Sequence, residues 1–174
     1  MKTPLLLFVL LAFVARAGAQ TFKIGGETFH PAGTNSSDAG YTRAYLPAGQ
    51  TLDNYKKLFG VRCLKKTPSP RDYINGLATA YHIGYPEMKF GSGGQESLNR
   101  WFADFLVYPK KPDSKYLEWS FYRAQTNATG GIIVFQYTER RTFKKSPKEL
   151  DSWDIPALRK QLLPFLMTNE FAIK

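Results

Sequence analysis

The chain has 174 residues, with 24 Lys and Arg against 14 Asp and Glu, a formal charge of +10 and a single cysteine, Cys63. One cysteine excludes an intramolecular disulfide, so a domain of this length has to hold itself together with an apolar core. Two histidines beside one thiol are too few soft and borderline ligands for a transition-metal site, and neither a metal nor a cofactor is expected.

Residues 1–19, MKTPLLLFVLLAFVARAGA, read as a secretory leader: Lys2, an apolar run from Leu5 to Val14, then Ala17-Gly18-Ala19 as the cleavage site. The apolar run is about half of the roughly 20 residues that span a bilayer, and no later stretch is more apolar, so no transmembrane anchor is expected. The expected product is a single domain over 20–174 that begins at Gln20 and keeps a charge of +8 after losing Lys2 and Arg16. An exported domain without a disulfide fits the bacterial periplasm or medium better than a small stapled eukaryotic factor.

Along the domain, Phe22 to Phe29 reads as a hairpin turning at Gly25-Gly26, whose missing side chains permit positive φ. HPAGTNSSDAG is a loop by composition, and Tyr41 to Leu46 is a strand stopped at Pro47. LPAGQTLDNYKK suggests a turn and one helical turn capped by Thr51. It leads into LFGVRCL, where Phe59, Val61 and Cys63 share a face at period two and Cys63 is a small core residue.

Ser69-Pro70-Arg71-Asp72 starts a helix, with Tyr73, Ile74, Leu77, Ala78 and Tyr81 on one side, which Gly84 and Pro86 stop. GSGGQES reads as a flexible turn; it lacks the lysine and spacing of a phosphate cradle. RWFADFLVY is apolar on both faces, as a central strand is. After the loop PKKPDSK, LEWSFYRAQ and IIVFQYTERR form a long antiparallel pair joined through TNATGG. Ser146 and Glu149 make a capping box for a short helix to Trp153. Leu158, Leu162, Leu163 and Leu166 make a last apolar stripe that Pro164 has to bend or end. This order points to an α+β fold, a mainly antiparallel sheet of about five to seven strands with helices packed on one face.

For chemistry, the basic doublets at strand ends and in loops stand out: Lys56-Lys57, Lys65-Lys66, Lys110-Lys111, Arg140-Arg141 and Lys144-Lys145. Lys110, Lys111, Arg140, Arg141, Lys144 and Lys145 are expected to form a basic rim that meets an envelope protein or an anionic glycan or lipid. Charged doublets also serve to guard sheet edges. Nucleic acid is not expected, since no recognition motif is present. The alternative is a hydrolase using Glu118, Asp104 or His82; Asp104 and Glu118 lie on neighbouring strands, and Cys63 with His82 is the remaining pairing. Asn127-Ala128-Thr129 and Asn35-Ser36-Ser37 match the glycan-acceptor pattern, which in a bacterial periplasm is ordinary sequence.

LPAGQTLDNYKKLFGVR, EWSFYRAQ and GIIVFQYTERR together resemble small exported bacterial proteins of no assigned function. That resemblance implies a bacterial source and a non-enzymatic role, and it carries no site residue. The element order is similar to that of Mog1/PsbP-like domains.

Overall fold

The structure, a computed structural model, describes residues 20–66, 69–85, 88–108, 115–144, 148 and 153–171. Its strands are β1 (Phe22–Ile24), β2 (Glu27–Ser37), β3 (Gly40–Pro47), β4 (Lys57–Leu64), β5 (Lys89–Gln95), β6 (Arg100–Val107), β7 (Tyr116–Thr126) and β8 (Ile132–Thr142). Two helices, α1 (Pro70–Gly84) and α2 (Ile155–Thr168), complete the described fold. All eight strands join one curled antiparallel sheet in the order β1-β2-β3-β4-β8-β7-β6-β5. It is therefore two four-stranded meanders, β1 to β4 and β5 to β8, joined edge to edge where β4 pairs with β8.

Period-two alternation assigns the two faces. On one, Phe59, Trp119, Phe121, Phe135 and Tyr137 pack with Leu162 and Leu166 of α2. On the other, Phe105, Tyr122, Ala124, Ile132 and Val134 pack with Ile74 of α1. The expectation of helices on one face is thus corrected: each face has its own helix, because most of the central strand positions are apolar on both sides and both sides need cover.

One strand, β5, exceeds the expected range, and β2 is longer than expected, each for a local reason. HPAGTNSSDAG is mostly the far end of β2 and its turn into β3; a register shift between Pro31 and Gly33 accommodates the proline, and exposure explains the polar composition. The glycine-rich KFGSGGQ is the edge strand β5, not a flexible turn. A Cβ at Gly93 would sit 2.8 Å from the Phe102 ring, and one at Gly94 2.8 Å from the Trp101 ring. Glycine here makes room for aromatic side chains of β6 to lie over β5.

Other expectations hold locally. Gly25 and Gly26 take φ of 59° and 83° in the first hairpin. The Ser69 hydroxyl accepts from the Asp72 N–H at 3.2 Å and caps α1. β7 and β8 pair over their whole length, from Tyr116 opposite Thr142 to Thr126 opposite Ile132. In TNATGG, the Asn127 N–H donates to the Gly131 carbonyl at 3.0 Å and closes the hairpin. Thr51 to Asn54 is a turn rather than a helical turn, held by the Asn54 side-chain oxygen accepting from the Thr51 N–H. The proposed Ser146 capping box lies outside the described residues. Pro164 does not end α2, which continues to Thr168 with Leu162 and Leu166 buried on either side of it. Packing outweighs the one lost N–H.

Candidate functional site

A cavity of about 460 Å³ opens between β5, β6 and β7 and the start of α2. The Asp154 carboxylate accepts from the Ala157 N–H at 2.9 Å and fixes where α2 begins. One turn later Arg159 reaches the sheet and donates to Asp104 Oδ1 at 2.9 Å. Asp104 sits on β6 among buried neighbours, and its other oxygen accepts from the Trp119 indole N–H at 2.8 Å. Both carboxylate oxygens are engaged, as burying a charge demands.

The floor is apolar, with Leu106, Leu117 and Trp119, and the walls add Tyr108, Trp153 and Ile155. Among the described residues the cations that line it are Lys89, Lys148 and Arg159, against the one carboxylate of Asp104. The Trp153 indole N–H is buried without an acceptor among the described residues. The Arg141 guanidinium lies over Trp153 at 4.9 Å while pairing with Glu139 at 3.2 Å, so a cation stands behind the cavity wall.

The opposite face carries a different arrangement. Arg140 lies between the rings of Tyr55 and Tyr116, at 4.1 and 4.0 Å, and pairs with Glu118 at 2.9 Å. Tyr55 donates to the same carboxylate at 3.3 Å. Burial opposes the Arg140 charge, but Tyr55 and Glu118 outweigh it and raise the pKa. Beside them the Ser120 and Thr138 hydroxyls share a hydrogen bond at 2.9 Å, fully buried. This network fastens β7, β8 and the segment before β4 and leaves Arg140 engaged.

The sequence candidates therefore separate. Arg140 and Arg141, adjacent in β8, project to opposite faces of the sheet. Lys144 follows the end of β8, while Lys110, Lys111 and Lys145 lie outside the described residues. Of the hydrolase candidates, Asp104 lines the cavity, Glu118 points to the other face and His82 is exposed on α1. The pairing of Asp104 with Glu118 is not formed: Asp104 stands opposite Phe121 and Glu118 opposite Val107, three positions along β6 and therefore on the other face. Cys63 is buried on the face away from α1 and does not meet His82. Among the described residues no cluster of His, Cys, Asp and Glu suits a metal ion.

Arg159, Trp153 and Lys89 escaped the sequence reading. Arg159 sits 55 positions from Asp104, and only the fold brings them together. The one available signal was Asp104 itself, a carboxylate inside an otherwise apolar strand.

A curled antiparallel sheet with a helix on each face, holding a cation-lined apolar groove, defines an α+β domain with a small-ligand-sized cavity. The chain belongs to an uncharacterised bacterial family, whose model matches residues 18–163. No curated protein and no solved structure matches it, and no likeness to Mog1/PsbP-like domains is shown. No helix among the described residues is long and apolar enough to cross a membrane.

Proposed function

We propose that the protein is an exported, non-enzymatic domain that binds an anionic component of the bacterial envelope, with the groove under α2 as its seat. One observation carries this reading: Lys89 and Arg159 stand over an apolar floor in a cavity of about 460 Å³, within the size range of small-molecule sites. Cations at the mouth suit an acidic head group, and Leu106, Leu117 and Trp119 suit an apolar body. Asp104, with both oxygens already bonded, orients Arg159 and offsets one positive charge, so that the described lining keeps a net positive charge through Lys89 and Lys148. Of the proposed rim, Arg140, Arg141 and Lys144 are described, and with Arg140 engaged by Glu118 on the opposite face, Arg141 on Trp153 and Lys144 are the members this reading uses. Support for export comes from the leader pattern of residues 1–19.

The test is sedimentation of the 20–174 protein with vesicles of phosphatidylglycerol or of phosphatidylcholine, and retention on an anionic glycan resin. Binding to one anionic surface that disappears in a Lys89→Glu, Arg159→Glu double variant supports the groove. Equal binding by the double variant overturns it. The hydrolase alternative rests on Asp104, the one candidate carboxylate in the groove, and predicts turnover that Asp104→Asn abolishes.

A further inference from the structure

Among the described residues β5 is the last strand of the sheet and pairs only with β6. The opposite edge, β1, has three residues, whereas β5 offers seven. Unpaired N–H and C=O groups along an edge are a template for another strand, and proteins guard such edges with proline, charge, bulges or cover. The described β5 has one charge, Lys89, no proline and no register shift. Its glycines also leave the path beside it nearly free of its own side chains.

What an incoming strand meets is set by alternation. On the face of the groove, Lys89 is exposed, and the Arg159 guanidinium lies over Gly91, where a Cβ would be 2.8 Å from Nη2. The Phe102 ring covers Gly93 on that same face. Lys89 and Gly91 are two residues apart, about 6.7 Å along the strand, so the two cations attend alternate positions of β5. On the other face Phe90 is 55% exposed and stacked on Phe105, and the Trp101 ring covers Gly94. A strand lying beside β5 therefore meets cations at alternate positions of one face and aromatic rings on the other.

We infer that β5 receives an extended acidic peptide segment of another protein by strand addition, with carboxylates at alternate positions and apolar side chains between them. Main-chain hydrogen bonds supply affinity in this mode, and the side-chain alternation supplies selectivity. Charge decides between a foreign segment and a second copy of the chain. Two copies paired antiparallel through β5 would bring their Arg159 guanidinium groups towards one another, in a domain whose charge over 20–174 is +8; an acidic strand instead complements both cations. The inference shares Lys89 and Arg159 with the groove but concerns the backbone of the edge, so amide protection of β5 separates it from binding confined to the cavity.

The experiment uses the 20–174 protein with a fluorescein-labelled, acetylated nonapeptide alternating glutamate and valine. Controls are the same composition with the glutamates in one block, and the peptide with lysine for glutamate. Fluorescence anisotropy is expected to show saturable binding of the alternating peptide, weakened by at least about tenfold in either control and in Lys89→Glu. Amide exchange at Gly91 to Gln95 should slow on saturation, which a ligand confined to the cavity would not cause. Equal affinity for the alternating and blocked peptides, or unchanged exchange in β5, overturns the inference. A concentration-dependent dimer that protects β5 without peptide overturns it in favour of self-pairing.

Discussion

Arg123, fully buried on β7, donates from Nη1 to the carbonyl of Leu166 at 2.9 Å, in the last turn of α2. The same guanidinium donates to the Met167 and Asn169 carbonyls at 3.0 and 2.9 Å and lies over Phe135 at 4.6 Å. The final carbonyls of a helix lack partners within it and carry the negative end of its dipole. A sheet residue thus supplies the cap of α2 from beneath. Burial, with Arg100 nearby, lowers the Arg123 pKa to about 10.

Replacing Arg123 with Met should strand three carbonyls and cost about 3 kcal/mol, the scale of losing charge-assisted hydrogen bonds from a buried site. Arg123→Lys should recover little of it, because an ammonium cannot spread donors across three carbonyls as a planar guanidinium does. Urea denaturation reads the loss, and amide exchange should show α2 opening before the sheet.

The hairpin that joins β7 to β8 allows a comparison of neighbouring glycines. Gly130 and Gly131 both have positive φ, 95° and 74°. A Cβ on Gly130 meets nothing, whereas one on Gly131 would lie 2.0 Å from the Leu64 carbonyl oxygen. Gly130→Ala should therefore cost about 1 to 2 kcal/mol from φ alone. Gly131→Ala should cost clearly more, since the turn has to move off the end of β4. A thermal melt in which the two variants match would contradict that close approach.

Stability should fall as the pH rises above about 10. Burial raises the Tyr81 pKa to about 12, against the opposing hydrogen bond from Tyr122. Burial also holds Tyr55, Tyr122 and Tyr137 above their ordinary values. Between the ordinary and raised values the unfolded chain has released these phenolic protons and the folded chain still holds them, so the unfolded state binds fewer protons and alkali favours it. Arg123 works the other way, because its lowered pKa leaves the unfolded chain holding more protons, but it is one group against these four and against Tyr41 and Tyr85, which burial also raises. Urea midpoints at about pH 9 and about pH 11 should show the drop, and Tyr81→Phe should make it shallower.

Asp104→Asn separates positioning from catalysis in the groove. The amide oxygen can still accept from Trp119, while Arg159 loses its charged partner. Stability should fall by about 1 to 3 kcal/mol, and binding to anionic vesicles should persist or tighten because the groove gains positive charge. Loss of vesicle binding at retained fold would show that Arg159 works only when Asp104 holds it.

The sequence was legible wherever one element's own pattern decided the outcome. Ser69 and Pro70 announce α1, and the β-branched and aromatic alternation of Ile132 to Tyr137 announces β8. β5 was missed because its side-chain pattern is supplied by its neighbour: the rings over Gly93 and Gly94 belong to Phe102 and Trp101. The extended part of β2 was hidden by polar composition, which in an exposed strand says nothing about backbone pairing. The faces taken by the helices depend on β4 meeting β8, and no local pattern reports that. In the site, Asp104 was visible as an oddity, while its partners Trp119 and Arg159 became partners only through the fold. Arg140 read as a rim cation because its doublet looked exposed; Glu118, Tyr55 and Tyr116 enclose it.

The seam between the two meanders sets an order of events for the chain. β1 to β4 can form from local hairpins as soon as they are free of the ribosome. Yet β4, with Phe59 and Val61, finds its partner only when residues such as Tyr137 and Phe135 arrive, more than 70 positions later. Pairing at such sequence separation is slow, because loop closure comes before any reward. Until then the unfinished β4 edge is the place where the newly made chain is most exposed to pairing with the wrong molecule.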